Sequence, residues 1–142
     1  MESVLGPHLQ TKLGLIPASD LQAVDFVLLY FSAHWCGPCR NFTPRLVEFY
    51  KEVNAGQVRM EVVFVSSDRD EAGFSGYFEE MPWVAVPYNS AQLRTQIGAG
   101  YGVQGIPKLL LVKKDGSVAS EGCRSDVERL GPQSLERWRS LL

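Results

Sequence analysis

Phe26-Val27-Leu28-Leu29-Tyr30-Phe31-Ser32-Ala33-His34-Trp35-Cys36-Gly37-Pro38-Cys39 is the stretch on which the fold turns. It opens inside an apolar run, Val24 to Ala33, of branched and aromatic residues, the pattern of a buried strand. It closes on two cysteines three apart, where a helix should begin. Cys39 to about Asn54 carries Phe42, Leu46, Phe49 and Val53 at spacings of four, three and four, one apolar helical face. Pro44 lies within it and should kink it.

A strand that runs into a helix through Cys-x-x-Cys has a chemical consequence. Side chains three apart on a helix share a face, with Cβ atoms about 5–6 Å apart, which suits a disulfide. Cys36, at the helix start, faces unpaired backbone N–H groups and the positive end of the helix dipole, and both favour a thiolate. Cys39 lies one turn deeper. Cys36 is therefore expected to attack and Cys39 to resolve the mixed disulfide. Pro38 fits a first helical turn, where no N–H bond is lost. Gly37 leaves room for a partner backbone, and Trp35 supplies an apolar shoulder. A zinc site would need four ligands. Beside this pair the chain offers His8, His34 and Cys123, none at the right spacing. No metal and no cofactor are expected.

Outward from this stretch, Met60 to Ser66 reads as a second strand, apolar on consecutive positions and so covered on both faces. Asp70 to about Glu80 should be helical, capped by Asp68 or Asp70, with Phe74, Tyr77 and Phe78 on one face. Met81-Pro82-Trp83 ends it, and Ser90 to Ala99 is a further short helix. Lys108 to Lys113 is a third strand, turned by Asp115-Gly116 into Ser117 to Glu121. Pro132 to Leu142 closes the chain as a helix. The first 23 residues, broken by Pro7, Gly14 and Pro17, read as irregular. Strands joined through helices run parallel and the last pair antiparallel, giving an α/β fold with a central mixed sheet between helices. Ile106-Pro107, just before the third strand, is a second signal: a proline belongs at a strand start. In such a fold it would sit opposite the cysteines, with a cis bond that leaves backbone edges free for a substrate chain.

Composition sets the frame. The 142 residues are 45% apolar and 21% charged, the size and make-up of one globular domain spanning 1–142. The net charge of −2 argues against phosphate-based nucleic-acid binding. The longest apolar run, Phe26 to Phe31, is far short of the roughly 20 residues of a membrane span. Glu2, Gly6 and Pro7 replace the basic-then-apolar pattern of a secretory leader. Three cysteines, an odd number, fit a reducing compartment better than a disulfide-stapled secreted domain. Cys123 reads as an incidental thiol, His34 as a loop histidine, Lys108 as an exposed strand-start lysine, Trp83 as core or groove wall. Asp68, Asp70 and Glu71 read as a solvated helix start.

Trp35-Cys36-Gly37-Pro38-Cys39-Arg40, Pro44 and Gly105-Ile106-Pro107 resemble the thioredoxin superfamily. Tyr30-Phe31-Ser32-Ala33, Phe42-Thr43-Pro44, Val63-Phe64-Val65-Ser66-Ser67-Asp68, Met81-Pro82-Trp83 and Tyr101-Gly102-Val103-Gln104-Gly105-Ile106-Pro107 are similar to its tryparedoxin and nucleoredoxin branch. The resemblance implies a thioredoxin fold, a three-layer α/β/α sandwich. It also implies a cis Pro107, dithiol exchange at Cys36 and Cys39, and a cytoplasmic or nuclear setting. Gly37 stands where the branch usually has proline. Tyr30 occupies the place of the buried thioredoxin aspartate. Ser67 stands where tryparedoxins carry the tryptophan that binds their glutathione-spermidine dithiol.

The expected activity is reduction of protein disulfides, with an external dithiol or reductase as electron donor. Trp35, Gly37, Pro38, Gly105, Ile106 and Pro107 are expected to form the substrate surface. The alternative is a redox-sensing, nucleoredoxin-like binding module that regulates a partner protein.

Overall fold

A computed structural model describes residues 1–142. The elements, in order, are α1 (Glu2–Leu5), β1 (His8–Thr11), β2 (Gly14–Pro17), β3 (Phe26–Ser32), α2 (Gly37–Val53), β4 (Met60–Ser66) and α3 (Glu71–Phe78). They continue as β5 (Val84–Ala85), α4 (Ala91–Gly100), β6 (Lys108–Val112), β7 (Val118–Ser120), α5 (Cys123–Leu130) and α6 (Ser134–Arg139). One seven-stranded sheet has the order β2-β1-β5-β4-β3-β6-β7.

β3 is the axis of the sheet. All seven of its residues are buried, as its unbroken apolar run requires. It pairs parallel to β4, reached through the crossover helix α2, and antiparallel to β6. Alternate side chains enter two cores. Phe26, Leu28 and Tyr30 join Phe42, Leu46 and Phe49 of α2, Phe74 and Tyr77 of α3, Val127 of α5 and Trp138 of α6. Val27, Leu29 and Phe31 point the other way, to Leu5, Leu9, Leu21 and Ile97 of α4. Each such side chain contributes about 1.5–3 kcal/mol when fully buried. Helices therefore cover both faces, the three-layer thioredoxin arrangement.

Three regions differ from the sequence-based expectation, the smallest being β5, an unexpected two-residue strand between β1 and β4. The first 23 residues are not irregular: β1 and β2 form an antiparallel hairpin, and β1 joins the sheet through Gln10 and Ala85. Gly14, at φ +138°, closes that turn, and Thr11 Oγ1 accepts the Leu13 N–H within it. The polar stretch after β7, which the sequence reading assigned to no element, is α5, whose buried residues are Cys123 and Val127, one turn apart. Gly131 at φ +57° stops it. The closing helix is then a 3-10 turn, Gly131–Gln133, followed by α6. α2 runs through Pro44 as one element.

The register places the site. β3 ends at Ser32 and β6 begins at Lys108, with Phe31 opposite Lys108. The turn leaving β3 carries the cysteines, and the segment entering β6 carries the cis Ile106–Pro107 bond. Antiparallel pairing thus brings residues some 70 positions apart to one end of the sheet.

Candidate active site

Cys36 is the N-cap residue of α2, in extended conformation, and Pro38 lies in the first turn. Its sulfur accepts the Cys39 N–H at 3.3 Å, one of the donors left free at a helix start. Cys36 and Cys39 form a disulfide with their Cα atoms 5.2 Å apart. The two sulfurs are not equivalent. Cys36 is 8% exposed and Cys39 0%. The Cys36 sulfur also lies 3.8 Å from the carbonyl oxygen of Ile106, which joins the two halves of the site.

Trp35 is half exposed, and its indole N–H donates to the Ser67 carbonyl at 3.0 Å. That bond holds the ring as one wall of a groove of about 610 Å³, whose other walls include Phe31, Arg94, Gly105 and Ile106. Trp35, Gly105 and Ile106 are thus brought together, whereas Gly37, Pro38 and Pro107 are not among the groove's walls. Gly37 and Gly105 face open space: a Cβ on either would meet nothing within 4 Å.

Beneath the pair lies a chain of hydroxyls that the sequence reading did not assemble. Tyr30 and Thr43 are 2.6 Å apart, Thr43 and Tyr77 2.6 Å, Tyr77 and Ser32 2.7 Å. Thr43 donates to the Cys39 carbonyl at 3.0 Å, anchoring that turn. Burial, reinforced by Tyr77, pushes the Tyr30 phenol far above its ordinary range, so it stays a neutral donor.

Asp68 is also reassigned. Rather than part of a solvated helix start, it is buried. Its carboxylate accepts the His34 N–H at 2.8 Å and the Ser66 hydroxyl at 2.7 Å, which ties the β4 exit to the loop before Cys36. The Ser66-x-Asp68 spacing at the end of the apolar run Val62 to Val65 was the available signal. Asp70 is the cap of α3, accepting the Gly73 N–H at 2.7 Å. His34 is exposed, its ring edge-on to Tyr77 at 5.6 Å. Lys108 is half-buried and pairs with Glu121 at 3.7 Å. Arg124 donates to the Pro107 carbonyl at 3.2 Å and lies over the Phe42 ring. Cys123 is fully buried, its thiol pushed up to about 12 by burial, so it is no reactive neighbour of the pair. Trp83 is core, with its ring against Tyr30 and Tyr50.

Residues 25–118 match the model of a family described as thioredoxin-like. The chain belongs to the thioredoxin-like family. Within it, the similarities fall in the tryparedoxin and nucleoredoxin branch. Nucleoredoxin of Danio rerio is 42% identical over 126 residues, 89% of this chain and 30% of that protein. Tryparedoxin of Trypanosoma brucei brucei is 40% identical over 102 residues, 71% of this chain and 70% of that one. The crystal structure of tryparedoxin I from Crithidia fasciculata superposes with a TM-score of 0.82 at 36% identity, covering 92% of each chain. The chain spans under a third of the nucleoredoxins it matches. The thioredoxin-like pattern places Cys36 and Cys39 in the active-site position, where thiol-disulfide exchange is carried out.

Proposed function

We propose that this domain is a thiol-disulfide oxidoreductase that reduces disulfides in protein substrates, with Cys36 as nucleophile and Cys39 as resolver. The observation that carries the reading is the asymmetry of the pair: one sulfur slightly exposed at a helix N-terminus and 3.8 Å from the Ile106 carbonyl, the other sealed. In the reduced enzyme the Cys36 thiolate attacks one substrate sulfur. The substrate S–S bond breaks, a Cys36–substrate S–S bond forms, and the leaving thiolate takes a proton. Cys39, as thiolate, then attacks the Cys36 sulfur and releases the second substrate thiol. The enzyme ends as the disulfide, two electrons poorer, and an external dithiol or reductase restores it.

The groove between Trp35 and Ile106 fits an extended chain beside Cys36, with backbone groups of Gly105 and Ile106 available for strand-like pairing. A cytoplasmic or nuclear setting, where thiols are kept reduced, suits this direction of exchange. No helix is long and apolar enough to cross a membrane.

The test is trapping. Reduced Cys39→Ser, mixed with a protein disulfide, is expected to accumulate a mixed disulfide on non-reducing gels, and Cys36→Ser to give none. The reverse pattern would exchange the two roles. Turnover by the parent protein with an external dithiol separates a reductase from a redox-sensing binding module, which oxidises once and stops.

A further inference from the structure

The chain is slightly acidic, with 14 lysines and arginines against 16 aspartates and glutamates, yet the rim of its cysteine site is arginine-rich. The Arg69 guanidinium carbon lies over the exposed Trp35 ring, 4.6 Å from its centroid. Arg94 forms a groove wall; its guanidinium donates to the carbonyls of Ser66 and Tyr88. Arg40 is exposed one turn from Cys36, its N–H bonded to the Cys36 carbonyl. Arg124 bonds the Pro107 carbonyl.

None of these four has a carboxylate partner. The three ion pairs of the structure are Lys108–Glu121, Arg137–Asp126 and Arg139–Asp25. The side-chain acceptors of Arg94 and Arg124 are neutral carbonyls, which leave the charge uncompensated, and the buried Arg124 Nε has no partner. The neighbouring acids form no ion pair with these arginines: Glu121 holds Lys108, Asp70 keeps its charge at the N-terminus of α3, and Asp68 keeps its charge but is buried against the His34 N–H and the Ser66 hydroxyl. Arg94 is the one charged residue among the groove's walls and Arg69 lies over the Trp35 wall, so the charge nearest a segment in the groove is positive and attracts partners of the opposite sign.

We infer that this groove selects protein disulfides flanked by aspartate or glutamate. The inference rests on the disulfide-reductase reading and adds its substrate class. Charge complementarity sets the occupant: an acidic peptide segment lying between Trp35 and Ile106 gains from Arg69 on one side and Arg94 below, whereas a basic segment is repelled. Arg69 is the discriminating residue, because it is exposed and stacked on the wall that borders Cys36. It acts through binding and orientation of the substrate.

The experiment uses two disulfide-bonded peptides, identical except that the residues flanking the cysteines are glutamate in one and lysine in the other. Each is mixed with pre-reduced protein and the single-turnover second-order rate is measured at 20 and 500 mM salt. The glutamate peptide is expected to react about tenfold faster at low salt, with the gap closing at high salt. Arg69→Glu is expected to shrink the gap by about threefold or more, and Arg69→Gln by less. The Cys36 thiolate is titrated in each variant by its ultraviolet absorbance. A changed thiolate would shift both peptides alike, whereas substrate selection shifts their ratio. Equal rates for the two peptides, or equal slowing of both by Arg69→Glu, would overturn the inference and leave the reductase reading standing. Failure to reduce either peptide would overturn the reductase reading itself and the inference with it.

Discussion

Tyr77→Phe removes a single oxygen from the hydroxyl chain beneath the cysteine turn, and its effect can be worked out from the contacts. Tyr77 is 1% exposed, and its ring sits edge-on to Phe64 at 5.6 Å, a contact that phenylalanine keeps. What is lost is the hydroxyl between Ser32, at 2.7 Å, and Thr43, at 2.6 Å. Thr43 retains Tyr30 and the Cys39 carbonyl. Ser32, fully buried on the central strand, loses its 2.7 Å partner. A buried hydroxyl stripped of its partner costs about 1–3 kcal/mol. A 142-residue chain has an unfolding entropy near 0.3 kcal/mol/K, so the midpoint should fall by about 3–10 °C. The assay is thermal denaturation of the oxidised protein, repeated for Ser32→Ala and the double variant. Taking out both partners removes the orphan, so the double variant should be less destabilised than the two singles added together. A Tyr77→Phe midpoint within 1 °C of the parent, or strict additivity, would show that the hydroxyl chain does not hold this region.

Glu61 and Cys123 give further tests. Burial raises the Glu61 carboxyl to about 7, against the opposing bonds from the Val62 N–H and the Tyr50 hydroxyl. Between its ordinary 4.5 and about 7 the folded protein holds a proton that the unfolded chain has released, so this group's contribution to stability declines across that window as pH rises. Glu61→Gln should therefore match the parent near pH 4.5 and exceed it at pH 8; a melting difference that does not change with pH would refute this. Cys123, sealed with its thiol near 12, should resist alkylation at pH 8 in the folded protein and react once denatured; rapid labelling of the native reduced Cys36→Ser, Cys39→Ser variant would count against its burial.

Legibility of this chain followed the strength of the local constraint. β3 is buried throughout and β4 at every position but Glu61, so Phe26 to Phe31 and Val62 to Val65 are apolar without interruption and could be read directly. The cysteine pair was readable because a helix start imposes both geometry and electrostatics on Cys-x-x-Cys. β1 and β2 were not, since each has four residues and only Leu9 of the eight is buried. Their pairing is decided by the sheet edge they find at Ala85, a partner 75 positions away. α5 escaped because it is short and polar: it has eight residues, two of them buried, Cys123 and Val127, and no side-chain cap marks its start.

The supporting residues were the hardest to see, because their roles exist only across elements. Asp68 looks like any acid near a helix start until β4 brings it under the His34 N–H, 34 positions back. Tyr30 looks like a core aromatic of β3, and its ring does pack on Phe42 and Phe64. Its hydroxyl matters because α2 places Thr43 above it and α3 places Tyr77 beside Thr43. A strand position that holds a carboxylate in thioredoxins thus holds a neutral donor here, linked to the Cys39 carbonyl directly at 3.4 Å and through Thr43 rather than offering a base to the sulfur. The hydroxyl chain fixes the backbone of Cys39, while the proposed reactivity of Cys36 rests on the other end of the turn, where the Cys39 N–H meets the Cys36 sulfur and the helix dipole favours a thiolate. Rigidity and reactivity are supplied by different residues on opposite sides of one helical turn, which is why the sequence motif exposes the second and conceals the first.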